Sequence, residues 1–596
     1  EEGGFSSRFR FDDSDVFKII EGASYTLQTF PDEQLEAQLD TLIRYISAAQ
    51  EDDGYLYTVR TILGDSASKV RKVGDKRWEL IREGSHELYN LGHLFEAAVA
   101  HYRATGKRSL LDVAIKAADL VDRNFGPDKI ATAPGHQEIE IGLVKLYRVT
   151  GEERYLDLSK FFLDQRGRFE DPGKQGRKYA QDHKPVTEQE EAIGHAVRAG
   201  YMFSSMVDIA ALTDSTDAEQ YEAALDKLWR DVVTTKMYIT GGVGATSQGE
   251  AFGESYQLPN QSAYAETCAS IANVFWNHRM YLLKGEAKYY DVLERTLYNG
   301  VISGVSLEGD RFFYPNPLAS DGGHERKAWF GVACCPSNTS RFTPSVPGYV
   351  YAKQKNNLYV NLFMANEAEI DLQDHRVKLI QKTDYPWDGE VNLEVQPEET
   401  GHFKISVRVP GWARNEAVPG DLYRFKEQIE QSPEYSINGE KVNPEFKDGY
   451  VTFARDWKAG DNITVDLPMP VRRVKANEKV EADRNRVALQ RGPLVYALEG
   501  KDNYGNVQNL MIPDDAEFKV NHKPDLLKGI YAVEGKATGY WKTDSGMNRQ
   551  KDVSFMAIPY YAWNNRGPDE MAVWLPERKE EVEPASVDTA RGIEIK

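Results

Sequence analysis

The chain has 596 residues, with 73 Lys+Arg against 93 Asp+Glu and a formal net charge of −20. That length exceeds one hydrophobic core and calls for several domain-sized units, and 41% hydrophobic residues with 11% aromatics belong to a packed protein rather than a disordered one. So acidic a chain repels a phosphate backbone unless a local basic patch overrides it; no such patch is evident along the sequence, nor an apolar run of about 18 residues able to span a bilayer.

From Asp13 to about Tyr349 apolar residues recur at helical spacing. Val16, Phe17, Ile19 and Ile20, then Leu35, Leu39, Leu42, Ile43 and Ile46, predict a first pair of amphipathic helices broken by Pro31-Asp32. An approximate repeat follows. Gly92-His93 begins a helix ending at Gly106, with a second helix through Leu120-Val121. Gly135-His136 begins another ending at Gly151, returning through Phe161-Phe162, and Gly194-His195 begins a third, returning through Leu228-Trp229. A single helical hairpin cannot bury its apolar face alone, so such units stack. Further pairs at about 267–301 and 339–351 bring the count near six, enough to close an (α/α)6 toroid over residues 1–349 with the inner-helix starts at one end. The repeated Gly-His would then set His93, His136 and His195 around a shared mouth; alternatively these histidines cap helices or fill polar pockets.

After Tyr349 the pattern changes to strands: Leu358–Phe363, Phe403–Val409, Tyr450–Phe453, Ile463–Leu467 and Val487–Leu489 alternate or nearly so. Asn438-Gly439, between Tyr435–Ile437 and Lys441-Val442, is a hairpin turn signal. One large or two smaller β-sandwich modules fit residues 350–576, and the charged stretch 577–596 reads as a mobile tail.

The glycine-rich run Gly241–Glu254 lacks the Gly-Lys-Ser/Thr ending of a phosphate loop. It suits the close placement of a carboxyl group, Glu250 or Glu254, against a ligand; two solvated loop glutamates are the alternative. All three cysteines, Cys268, Cys334 and Cys335, fall in one window with Glu266. Three thiols and a carboxylate suit tetrahedral Zn²⁺; three buried structural cysteines, or one disulfide and a spare thiol, are the alternatives. His86-Glu87 with His93 does not have zincin spacing.

The runs Gly249–Phe252, Leu258–Asn260, Tyr264–Ser270, Trp329–Gly331 and Ala333–Pro336 resemble glycoside hydrolase family 127, the β-L-arabinofuranosidases. Ser85–Glu87, Gly135–Glu138, Gly194–Arg198, Gln490–Tyr496 and Ile558–Trp563 are similar to the family's pattern too. The resemblance implies an (α/α)6 barrel followed by β-sandwich domains and a retaining exo-glycosidase releasing terminal β-L-arabinofuranosyl units from plant-derived glycan. It implies Cys334 as nucleophile and Glu250 as general acid/base. Glu266, Cys268, Cys334 and Cys335 would surround Zn²⁺, and His86, His136, His195, Tyr314 and Glu266 would lie against the sugar. Two departures stand out: the chain is too short to include a segment, ahead of Asp13-Ser14-Asp15, that supplies a sugar contact in the family, and Val332 replaces a further cysteine of some relatives.

A thiol with a pKa of about 8.5 needs a cation to be a thiolate at neutral pH. Most retaining glycosidases use a carboxylate nucleophile, which makes Glu266 the rival to Cys334. Other readings are the same scaffold acting on another sugar, such as the L-aceric acid of complex pectin, or a noncatalytic carbohydrate-binding protein with structural zinc. The charge suits a neutral sugar and excludes nucleic acid as a partner. The chain begins at Glu1 without Met or leader, and a plant-glycan substrate points to a periplasmic or secreted location.

Overall fold

The computed structural model describes residues 9–168, 177–213 and 216–595. Its α-helices are α1 (Asp13–Thr29), α2 (Glu33–Ala49), α3 (Thr58–Leu63), α4 (Glu87–Thr105), α5 (Ser109–Asn124), α6 (Ile139–Thr150), α7 (Glu153–Gln165), α8 (Ala196–Leu212), α9 (Thr216–Asp231), α10 (Thr267–Lys284), α11 (Lys288–Arg295) and α12 (Cys334–Phe342). Helices α1, α4, α6, α8, α10 and α12 pack each on the next, and α12 returns to α1, closing an inner ring; α2, α5, α7, α9 and α11 cover it from outside. The fold is the (α/α)6 toroid expected, followed by β-sheet domains.

Local chemistry sets the hairpins. Asp32 caps α2 by accepting from the Gln34 and Leu35 amides at 2.8 and 3.0 Å, which fixes the Pro31-Asp32 break. Gly106 and Gly151 close α4 and α6 in the left-handed conformation, φ 73° and 75°, so both Thr-Gly turns are helix stops. Inner helices are buried nearly all round, as α8 is from Ala196 to Ala210, whereas outer helices bury one face.

The ring is tight because glycine lies at its crossings. A Cβ on Gly22 of α1 would stand 2.3 Å from the Ser340 carbonyl of α12, and one on Gly142 of α6 2.7 Å from the Gly92 carbonyl of α4. Charge fills the axis where apolar side chains do not: Arg341 of α12 reaches Glu96 of α4 at 2.5 Å, Glu21 of α1 at 3.0 Å and the Tyr201 hydroxyl of α8 at 2.9 Å. Breaking such a buried set leaves an uncompensated charge.

Within the toroid two expectations change. The sixth inner helix starts at Cys334 rather than near Thr339, and its outer partner is only a 3₁₀ segment, Thr343–Tyr349. Pro336 sits in the first turn of α12, where its missing N–H costs nothing. His93 does not reach the mouth either. It lies two turns inside α4, fully buried, with Nδ1 2.9 Å from Glu138 Oε1, and the helix start belongs to His86.

Past the toroid, a five-stranded sheet holding Gly401–Arg408 and Tyr450–Trp457 and a six-stranded sheet holding Arg376–Thr383, Glu390–Pro397 and Asp461–Asp466 share one core. Alternate residues such as Val377, Leu379, Val391, Leu393, Phe403 and Ile405 point inward. Asn438 and Gly439 adopt φ 51° and 81° between the paired strands Glu434–Ile437 and Glu440–Lys441, the twist a two-residue hairpin demands. A twelve-stranded sheet is built on Ile530–Lys542, Asn548–Pro559, Leu494–Glu499 and Arg486–Arg491. It recruits Tyr423–Phe425 from within the preceding sandwich region and Ala319–Asp321 from the toroid. Residues 577–595, expected as a mobile tail, instead fold back on it: Ala585–Ser586 pairs in parallel with Trp541–Lys542, and Ile593 and Ile595 pack on its apolar face.

Candidate active site

The chemistry-bearing residues meet where inner helices begin. His86 is the residue before α4, in the left-handed conformation (φ 65°). His136 lies just ahead of α6, and His195 caps α8, its Nδ1 accepting from the Arg198 amide at 3.3 Å. Glu266 immediately precedes α10, Cys268 is in its first turn, and Cys334 and Cys335 begin α12. Helix N-termini carry unpaired N–H groups and partial positive charge, so this end of the ring is arranged to receive anionic groups.

Along the rim, the His86 and His136 rings are 5.8 Å apart and the His136 and His195 rings 5.8 Å apart, with Tyr89 4.4 Å from His136. His86 Nδ1 pairs with the Gly84 carbonyl at 2.6 Å and His136 Nδ1 with the Gln137 carbonyl at 2.7 Å. Both Nδ1 atoms thus carry the proton, leaving Nε2 as acceptor. Burial holds both rings well below the ordinary histidine pKa, with Arg198 next in effect, so they are neutral. Neutral imidazoles suit the hydroxyls of a sugar.

The glycine-rich loop is clamped to the start of α8: the Ala196 amide donates to the Glu250 carbonyl at 3.0 Å and the Phe252 amide to the Gly194 carbonyl at 2.9 Å. This holds Glu250 at φ 51°, a conformation that costs a non-glycine residue about 1 kcal/mol or more. Its carboxylate takes His195 Nε2 on Oε2 and the Tyr264 hydroxyl on Oε1, each at 2.8 Å. Burial pushes the Glu250 pKa up, but the bonds from His195 and Tyr264 outweigh it and the net direction is down.

Opposite lie the sulfurs. Cys268 Sγ is 3.3 Å from Cys335 Sγ, Glu266 Oε1 is 3.5 Å from Cys335 Sγ and 3.8 Å from Cys334 Sγ, and the Tyr314 hydroxyl is 2.9 Å from Cys334 Sγ. One donor atom from each of Glu266, Cys268, Cys334 and Cys335 lies within 4.8 Å of the others, and donor atoms of His195, Glu250 and Glu266 likewise lie within 4.8 Å of one another. The three cysteines are free thiols, so the disulfide alternative falls. Glu266, Cys268 and Cys335 are buried and Cys334 is partly open. Hydrogen bonds from the thiols of Cys268 and Cys335 hold Cys334 well below the ordinary cysteine pKa, with Lys18 and Tyr314 adding to the effect. Burial drives Glu266, Cys268 and Cys335 well above theirs. Glu266 Oε2 is buried with no partner, and a buried carboxylate oxygen left so is costly. Three thiols and a carboxylate converging on one point, one oxygen unsatisfied, fit a divalent metal.

Family comparison agrees with this geometry. Residues 2–348 match the β-L-arabinofuranosidase GH127 catalytic domain, 357–469 the GH127 middle domain and 471–576 the glycoside hydrolase family 127 C-terminal domain. The chain belongs to glycoside hydrolase family 127. It is 36% identical, over 95% of its length and 89% of the relative's, to a non-reducing end β-L-arabinofuranosidase of Bifidobacterium longum subsp. longum. A solved GH127 β-arabinofuranosidase superposes with TM-score 0.93 at 50% identity, covering 98% of this chain and 90% of that one. The GH127 β-L-arabinofuranosidase of Geobacillus stearothermophilus T6 superposes with TM-score 0.88 at 42% identity, covering 97% and 92%. The expectation of a glycosidase from this family is met.

The structure therefore brings together His86, His136, His195, Glu250, Glu266, Cys268, Tyr314, Cys334 and Cys335, and leaves out His93. It adds groups that the motifs contained without pointing to them. Tyr264 holds Glu250. Ser337, one turn after Cys334, donates to Asp15 of α1 at 2.7 Å, while the buried Lys18 lies 3.5 Å from Asp15 and 5.5 Å above the Tyr89 ring. Tyr264 stood in the quoted run Tyr264–Ser270; Lys18 and Ser337 carry no sequence signal beyond being polar on inner helices.

Proposed function

We propose that this protein is a retaining exo-β-L-arabinofuranosidase in which Cys334 is the nucleophile and Glu250 the general acid/base, with Zn²⁺ held by Glu266, Cys268, Cys334 and Cys335. The observation that carries the reading is the opposition, at one mouth, of a partly open thiol with a lowered pKa and a carboxylate held by His195 and Tyr264. When bound, the metal keeps its thiol ligands deprotonated and offsets their charge.

Neutral His86 and His136 orient the sugar through its hydroxyls, while His195, its two nitrogens taken by the Arg198 amide and Glu250, lies beside it. Cys334 Sγ attacks the anomeric carbon as Glu250 protonates the departing glycosidic oxygen, so a C–S bond forms and the C–O bond breaks. Glu250, now a carboxylate, takes a proton from water as the water attacks the same carbon and the C–S bond breaks. Two inversions give retention. The bonds from His195 and Tyr264 favour the carboxylate, the form needed in the second step. Cys334 is preferred over Glu266 because Glu266 is 2% exposed and turned among the thiols. Glu250 also weighs against a purely carbohydrate-binding role, which needs no carboxyl group facing a thiol. The plant-glycan substrate class favours a periplasmic or secreted setting.

The test is hydrolysis of a panel of aryl glycosides, β-L-arabinofuranoside included, with NMR identification of the first-formed anomer. Release of arabinose with retained configuration supports the reading; inversion, or hydrolysis of another glycoside alone, would sink it. Elemental analysis of the purified chain should find about one zinc per chain. Stripping it with a strong chelator should abolish turnover and lower the melting temperature.

A further inference from the structure

No basic patch is visible along the sequence, yet the fold assembles one at the mouth of the site from four distant segments: Arg10, Arg71 with Lys72, Arg177 and Arg198. Arg10 donates to the Gly84 carbonyl, Arg177 to the Arg82 carbonyl and Arg198 to the Gly135 carbonyl. The Gly135 amide in turn donates to the Ile81 carbonyl at 2.9 Å, so these guanidinium groups are docked on two adjoining strips of backbone. Both strips end at rim histidines, His86 and His136. A Cβ built on Gly84 would stand 3.3 Å from the His86 ring and 3.6 Å from the Arg10 guanidinium, and Arg198 lies 4.6 Å above the ring of Tyr179, whose edge faces His195 at 5.5 Å.

Carbonyls fix the geometry of Arg10, Arg177 and Arg198 without cancelling their charge. Among the described residues none of the five ion-pairs with a carboxylate, whereas neighbouring Arg82 pairs with Asp182 at 2.8 Å. Arg198 is 8% exposed and its Nε has no partner. Burial lowers the Lys72 pKa, and repulsion from Arg10, Arg71, Arg177 and Arg198 lowers it further. In a chain of net charge −20, with 93 carboxylates available to neutralise them, such a group left unpaired at a catalytic mouth matches an anion arriving with the substrate.

We propose that this rim binds the carboxylate of a uronic acid unit adjoining the sugar that is released, so that the preferred glycan is acidic on its leaving-group side. The inference rests on the glycosidase reading above and names its substrate class. A planar carboxylate accepts two parallel bonds from one guanidinium, a geometry that a neutral hexose cannot supply.

The experiment compares two β-L-arabinofuranosides that differ only in the adjoining unit, a hexuronate in one and its carboxyl-reduced hexose in the other. The wild-type kcat/KM should be about tenfold higher on the uronate at low ionic strength, the size of one well-made charge-assisted contact. That ratio should shrink several-fold toward 0.5 M salt as the field is screened. Because each variant is its own control, Arg71→Gln/Lys72→Gln and Arg177→Gln should bring the ratio toward one whatever fraction of the protein is folded. A wild-type ratio near one, or a ratio unmoved by salt and by both variants, overturns the inference while aryl β-L-arabinofuranoside is still hydrolysed. Absence of hydrolysis on every β-L-arabinofuranoside overturns the glycosidase reading and this inference with it.

Discussion

At the scale of single residues, the site is a set of acids whose pKa values their surroundings move in opposite directions. Glu250 owes its lowered pKa to two donors, so Tyr264→Phe removes one and must raise it. The basic limb of the kcat/KM profile, where Glu250 loses the proton it must give to the leaving group, should then shift to higher pH, read from rates across about pH 4–8; an unshifted limb would show that Glu250 does not govern it. Glu250→Gln should cost about 10²–10⁴-fold in kcat with an unchanged circular dichroism spectrum. Cys334→Ser should abolish turnover, because a hydroxyl is the poorer nucleophile at neutral pH. Near-wild-type activity in that variant would transfer the nucleophile's role to Glu266.

Helices and strands decide how firmly those residues are held. Because α12 carries two of the proposed ligands at its start, its seat against α1 is functional as well as structural. Gly22→Ala would push a methyl into the Ser340 carbonyl, a backbone atom that cannot swing away, and should cost about 1–3 kcal/mol. The expected readout is a lower denaturation midpoint together with reduced retention of metal under chelator challenge; an unchanged midpoint would show that the two helices can separate freely. The loop ahead of α10 is held differently. Asn260 donates to Asp483 Oδ1 at 2.8 Å, and burial pushes the Asp483 pKa up to about 7. An acid whose folded pKa is raised stabilises the fold least when ionised, so stability is lost as pH rises from about 4, the unfolded value, to about 7. Asp483→Asn should therefore raise the melting temperature more at pH 8 than at pH 5.

For the whole molecule, the sheet domains are buttresses of the site. Trp563 packs 5.1 Å from the ring of Phe313, the neighbour of Tyr314, and the Tyr560 hydroxyl donates to the Pro317 carbonyl at 2.9 Å. Arg326, buried, donates to the carbonyls of Trp563, Ser303 and Tyr561 at 2.5, 2.9 and 3.2 Å. From the other motif of the C-terminal part, Gln490 accepts from Arg295 at 3.0 Å and the Pro493 carbonyl from Asn299 at 2.9 Å. Arg326→Ala leaves three carbonyls without that donor, and a loss of about 3 kcal/mol is expected. Calorimetry should then show the toroid and the C-terminal sheet melting together at a lower temperature. A separate early transition of the sheet alone would refute this coupling.

Some of this protein was determined by sequence alone. Helical periodicity, Thr-Gly stops and the Asp32 cap act within a few residues, so the helical pairs of the first half were legible, as were the Asn438-Gly439 hairpin and the alternating strands. The pairing of Glu250 with a cysteine and glutamate cluster was legible too, because those residues stand in short runs. Other features depend on contacts between distant segments. His86 rather than His93 faces the mouth because the helix start lies at Glu87, a boundary set by Tyr55 and Ser85, which donate to the Glu87 carboxylate at 2.5 and 2.8 Å. The segment 577–595 reads as a charged tail until the partner strand Trp541–Lys542 is in place. Net charge behaves in the same way: a count of −20 is fixed by composition, but Arg10, Arg71, Lys72, Arg177 and Arg198 become one basic rim only when the ring closes, since a field at a point sums over space and not along the chain.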